Sequence, residues 1–186
     1  MSYQTKLTTS ALGVLCLLAA SIPAKAGFVG NTVSANYEWP NVGTILYPGG
    51  SAVIPAGGTT FDLSSGGVTV DVTNANIVVT FPGGWDFSTA PKTFDGIVVT
   101  DATADIIGVS LASTNISGYV ASDLSFDGKD VYINFPYPPF ASLAAGASVS
   151  VDVLFAAPEP APIALLATGL FALGLLLRRR ALSSKP

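Results

Sequence analysis

The chain has 186 residues, 49% of them hydrophobic and only 11% charged, with a formal net charge of −4. That acidic balance argues against nucleic acid as the main partner, and the absence of histidine removes the commonest general base and metal ligand. A single cysteine excludes an intrachain disulfide and a Cys-rich zinc site.

At the N-terminal end, residues 11–20 read ALGVLCLLAA, an unbroken apolar run preceded by a polar segment with Lys6. Ser21, Ile22 and Pro23 follow it, and Ala24-Lys25-Ala26 then places small side chains where a signal peptidase needs them. This is the three-part layout of a secretory signal peptide over residues 1–26, with cleavage expected between Ala26 and Gly27. The run is shorter than the roughly 17–25 residues a membrane-spanning helix requires. Cys16 lies inside it, and Leu15 stands where a lipoprotein site would want a small residue.

Residues 27–156 read as one all-β domain. Val68, Val70 and Val72 alternate with Thr69, Asp71 and Thr73, and Ile77, Val79 and Phe81 keep the same spacing. Val131, Ile133 and Phe135 alternate with Tyr132 and Asn134, and Val149, Val151, Val153 and Phe155 alternate with Ser150, Asp152 and Leu154. Period-2 alternation of β-branched residues predicts half-buried strands. Further strands are expected over 31–39, 44–47, 59–63, 96–100, 106–112 and 119–126. Pro48-Gly49-Gly50, Gly57-Gly58, Gly66-Gly67 and Pro82-Gly83-Gly84 punctuate them. Asp127-Gly128-Lys129-Asp130 reads as a hairpin turn, with Gly128 expected at positive φ. Many short strands, Gly-rich turns and no helical period predict an antiparallel β-sandwich, with a β-barrel as the second choice.

Candidate chemistry in this domain is sparse. Its only amines besides the N-terminus are Lys92 and Lys129, and a serine hydrolase would lack its base. Asp101 and Asp105 are the pair considered for carboxylate-dependent glycan chemistry, and Glu38 is the sole glutamate before residue 159. Asp101, Asp105, Asp123, Asp127 and Asp130 are the oxygen donors considered for calcium, but no D-x-D-x-D-G loop is present. Neither a catalytic site nor a metal or cofactor is therefore assigned. Trp39, Tyr47, Trp85, Tyr132, Tyr137 and Phe140 fall near strand ends or turns, where exposed rings could stack on sugars. The alternative is that these rings fill the core.

The C-terminal end reads APEPAPIALLATGLFALGLLLRRRALSSKP. Residues 161–177 are apolar or small throughout, about 25 Å of helix and enough to cross a thin bilayer. Arg178, Arg179 and Arg180 follow at once, which orients such a helix with its C-terminal end in the cytoplasm. Pro158-Glu159-Pro160, a short apolar helix and an arginine cluster, in that order, closely resemble the PEP-CTERM sorting signal. The resemblance covers residues 157–183. It implies an exported bacterial substrate of an exosortase, a membrane protease that would recognise Pro158, Glu159 and Pro160. It further implies transient anchoring in the inner membrane and delivery to the cell surface or extracellular matrix. The role it implies is a structural or adhesive component of exopolysaccharide or biofilm, with signal peptidase, exosortase and exopolysaccharide as partners. A carbohydrate-binding module and a carboxylate-dependent glycan-active enzyme stand as alternatives.

Charge is unevenly spread across these pieces. Residues 27–157 carry two lysines against eleven acids, a net of −9, while both ends are basic. The exported domain is thus far more acidic than the whole chain.

Overall fold

The structure, a computed structural model, describes residues 27–103 and 105–157 together with Leu170 and Gly174. The expected signal helix, and all of the expected membrane helix except Leu170 and Gly174, lie outside the described residues. Among the described residues no helix is long and apolar enough to cross a membrane. One unit of the chain spans Ala26–Ala156.

This unit is all-β. Its strands are β1 (Thr32–Glu38), β2 (Ile45–Val53), β3 (Thr59–Leu63), β4 (Val68–Val72), β5 (Asn76–Phe81) and β6 (Trp85–Asp86). They continue with β7 (Gly96–Asp101), β8 (Ile106–Thr114), β9 (Leu124–Phe126), β10 (Asp130–Asn134), β11 (Ser142–Leu143) and β12 (Ala147–Phe155). One five-stranded sheet has the order β2-β1-β7-β10-β9, the other β3-β4-β5-β12-β8, and β11 pairs with β6 in a separate ribbon. The pairings are antiparallel.

Alternation decides which side of each strand is buried. Val68, Val70 and Val72 on β4, Ile77, Val79 and Phe81 on β5, and Val149 and Val151 on β12 are fully buried. From the other sheet, Val33 and Ala35 on β1, Ile97 and Val99 on β7, and Val131 and Ile133 on β10 join them in one core cluster. Each such Val, Ile or Phe side chain contributes about 1.5–3 kcal/mol when wholly removed from water. Phe28, ahead of β1, meets Phe155 at the end of β12 edge-to-face with ring centres 4.9 Å apart, which ties the start of the domain to its last strand.

Three local expectations are corrected. First, β2 does not stop at Pro48-Gly49-Gly50 but runs through it. It is an edge strand, where proline is tolerated, and Gly50 takes φ 82° where the β1–β2 register shifts between Ser34 and Asn36. Second, the strand expected over 119–126 shortens to β9. A 3-10 turn at Ala121–Asp123 precedes it, with the Asp123 carboxylate accepting the Val120 N–H at 3.0 Å. Third, Gly128 is not among the positive-φ glycines. The β9–β10 turn is made instead by Asp127, whose Oδ1 accepts the N–H groups of Lys129 at 2.8 Å and Asp130 at 2.9 Å. Those two bonds also hold the Asp127 carboxyl below the usual carboxylate range.

Candidate functional site

Three aromatic residues from separate segments meet at one end of the β1–β2 pair. Tyr37 is carried on the buried face of β1, and its register partner on β2 is Tyr47. Their ring centres are 6.0 Å apart. The ribbon strand β6 adds Trp85, 5.3 Å from Tyr37 and 6.0 Å from Tyr47, the latter at 85° between ring planes. Trp85 can pack this tightly because residue 67 is glycine: a Cβ there would lie 2.8 Å from Trp85 Cζ3. With Trp39, Leu46, Asp86, Ser88 and Asp95 these rings line a cleft of about 200 Å³.

A chain of polar groups underlies the cleft. The Trp85 indole N–H donates to the Tyr37 hydroxyl at 3.1 Å, and that hydroxyl donates to Asp95 Oδ1. Lys92 donates to Asp95 Oδ2 and, at 2.8 Å, to the Ser88 carbonyl. The Lys92 and Asp95 side chains are only 7% and 2% exposed, so this ion pair is a buried one. The Asp95 backbone is pinned as well, its N–H donating to Asn134 Oδ1 at 3.0 Å and its carbonyl accepting from Phe135 at 2.8 Å. Burial, then the Asp95 hydrogen bond, raises the Tyr37 hydroxyl well above the usual tyrosine range, so it stays protonated at any physiological pH. Lys92 Nζ also lies 5.6 Å from the centre of the Phe87 ring and 5.8 Å from that of Tyr137. The Trp39 indole nitrogen is buried with no hydrogen-bond partner among the described residues.

Of the six aromatic residues expected at strand ends and turns, the fold brings three into this cleft: Trp39, Tyr47 and Trp85. Tyr137 lies beside it over Lys92. Phe140 is core, 4% exposed and packed near Tyr119 and Phe135. Tyr132 lies elsewhere, donating to Asp127 at 2.9 Å and meeting Phe94 edge-to-face. No motif in the sequence alone marks Tyr37, Asp86 or Ser88 as a site residue. Tyr37 falls on the buried phase of the 31–39 alternation, which is the signal that could have found it. Asp86 and Ser88 sit in a stretch with no period to read.

The acidic candidates Asp101 and Asp105 both lie beside the β9–β10 turn, the Asp101 N–H donating to the Lys129 carbonyl at 2.9 Å and a Cβ on Gly128 falling 4.0 Å from Asp105 Oδ1. Asp101 is fully buried, and it accepts from Asn31 Nδ2 at 2.8 Å and from the Thr103 N–H and hydroxyl at 2.9 and 2.8 Å. Asp127 and Asp130 are engaged in the β9–β10 turn. Among the described residues no three His, Cys, Asp or Glu side chains are grouped to hold a metal ion. Of the processing residues, Gly27 is described: it is buried at φ 134°, and its carbonyl accepts from Asn31 Nδ2 at 3.0 Å. Ala24, Ala26, Pro158, Glu159, Pro160, Arg178, Arg179 and Arg180 lie outside the described residues.

A second cleft of about 350 Å³ is lined by small or uncharged residues, among them Asn115, Ser117, Ser142, Ala144 and Ala145. No family model matches this chain, and no curated protein or solved structure shows significant similarity to it.

Proposed function

We propose that this chain is an exported surface or extracellular-matrix protein whose domain over 27–156 is a β-sandwich of two facing five-stranded sheets that binds carbohydrate. The observation that supports binding is the convergence of Trp39, Tyr47 and Trp85 on one cleft with Asp86 and Ser88 at its rim. Sugar rings present C–H faces that stack on aromatic rings and hydroxyls that bond to carboxylates and serines. Mostly apolar walls with a few placed polar groups are the usual make-up of a small-ligand site.

Binding rather than turnover is the role these groups suit. Tyr37, Lys92 and Asp95 are tied to one another, and a raised Tyr37 makes a poor base. Export rests on the sequence of the two ends. Signal peptidase cuts between Ala26 and Gly27, residues 161–177 anchor the chain briefly in the inner membrane, and Arg178, Arg179 and Arg180 stay on the cytoplasmic side. An exosortase then processes the chain near Pro158, Glu159 and Pro160.

Two measurements test this reading. Deleting the exosortase should leave an uncleaved, membrane-bound form, and unchanged processing in that strain would refute the sorting half. Sedimentation with the cell's own exopolysaccharide should retain the wild-type protein and lose Trp85→Ala. Equal retention of both would refute the cleft as the binding surface.

A further inference from the structure

Resting on the carbohydrate-binding reading above, we infer that the aromatic cleft selects amino sugars, taking the ammonium group of a deacetylated hexosamine between its rings and the Asp86 carboxylate. Four observations carry this.

The polar group the cleft leaves open is an anion. Asp86 is exposed at the rim and makes no hydrogen bond or ion pair among the described residues. Asp95, the other carboxylate lining the cleft, is already matched by Lys92. The cleft therefore presents one unmatched negative charge and no unmatched positive one.

The walls favour the same sign. The faces of the half-buried rings Tyr47 and Trp85 carry the negative end of the ring quadrupole, and an ammonium over such a face is attracted. Tyr47 and Trp85 stand nearly perpendicular, so they do not make one flat stacking platform.

The protein already uses this recognition once. Lys92 places its own ammonium near the Phe87 and Tyr137 rings and against the Asp95 carboxylate. Asp95 and Ser88, which hold that ammonium, also line the cleft. An incoming sugar amine would meet groups of the same kinds, aromatic rings and a carboxylate, at Tyr47, Trp85 and Asp86.

The surrounding field agrees. The net charge of −9 over residues 27–157 draws cationic ligands in and repels acidic polysaccharides. The volume of about 200 Å³ equals about seven water molecules, which suits one sugar residue better than a longer segment.

The chain supplies its own probe. It has two tryptophans, Trp39 and Trp85, and both line the cleft. The experiment titrates the full chain, held in a polyoxyethylene detergent at about pH 6 so that amines are charged. Tryptophan emission is followed with glucosamine, N-acetylglucosamine, glucose and choline. Glucosamine should act at roughly tenfold lower concentration than glucose or N-acetylglucosamine. Asp86→Asn should bring the three sugars level, while Asp105→Asn should preserve the preference. Equal response to glucosamine and glucose in the wild type would overturn the amino-sugar assignment and leave carbohydrate binding standing. Choline acting where glucosamine does not would also overturn it. Silence with every sugar would overturn both readings. A preference that survives Asp86→Asn would overturn the role of that carboxylate.

Discussion

Two clefts are lined from the two strands of one ribbon, and they differ in kind. Trp85 and Asp86 of β6 enter the smaller, aromatic cleft, whereas Ser142 and Leu143 of β11 enter the larger one. Behind the smaller cleft a continuous hydrogen-bond chain runs from Trp85 through Tyr37 to Asp95 and Lys92. Near the larger cleft the Tyr119 hydroxyl is buried with no partner among the described residues, although its ring packs against Phe140, which lines that cleft. The two clefts thus differ in chemistry and not only in volume. What distinguishes the smaller cleft is that two of its rings, Tyr37 and Trp85, are held at defined angles by hydrogen bonds an incoming ligand need not reorganise, although the Trp39 indole nitrogen in the same cleft is also unpartnered among the described residues.

The sharpest break in this comparison is Asp95→Ala. It leaves Lys92 charged and buried and strands the Tyr37 hydroxyl. Removing one partner of a buried pair costs about 3–5 kcal/mol, so urea unfolding should show a loss of that size and the Trp85 emission should shift. A loss under about 1 kcal/mol would mean that water or rearrangement supplies the missing partner.

The two buried tyrosines should then separate. Tyr37→Phe leaves the Trp85 N–H and Asp95 without their hydroxyl, a cost of about 1–3 kcal/mol. Tyr119→Phe removes a hydroxyl that has no partner, so it should be neutral or stabilising by up to about 1 kcal/mol. Equal costs in denaturant melts would erase the distinction drawn between the two clefts.

The smallest effect is a shared one. Burial raises both hydroxyls, aided by Asp95 at Tyr37 and by Asp123 at Tyr119. A folded-state pKa above the unfolded value of about 10 gives stability that is complete below about pH 10 and lost as the pH rises beyond it. The urea midpoint should therefore be insensitive to these groups at neutral pH and fall above about pH 10. Each Tyr→Phe variant should flatten that alkaline decline, and a decline unchanged in the double variant would assign it to other groups.

Much of the fold was legible beforehand because alternation is a local property. Val68, Val70, Val72 and Ile77, Val79, Phe81 declare their buried face through spacing alone, and the structure buries all six. The errors occurred where one residue's conformation depends on neighbours distant in sequence. Pro48-Gly49-Gly50 has the composition of a turn, yet pairing with β1 draws it into an edge strand. The two-residue strands β6 and β11 are too short for any period, and one of them carries Trp85 and Asp86 into the cleft.

Composition and order along the chain were sufficient, without any fold, to divide the sequence into an acidic, β-patterned centre and two basic, apolar ends with the layout of export signals. They also named Trp39, Tyr47 and Trp85 as candidates among six aromatics. Only the tertiary structure decided that these three belong together, that Phe140 fills the core and that Tyr132 stands apart. Periodicity reports which face of a strand is buried, because that follows from the backbone pleat. Which rings share a cleft depends on sheet order, register and a glycine at residue 67 that makes room for Trp85, and those are set by contacts between segments far apart in the chain.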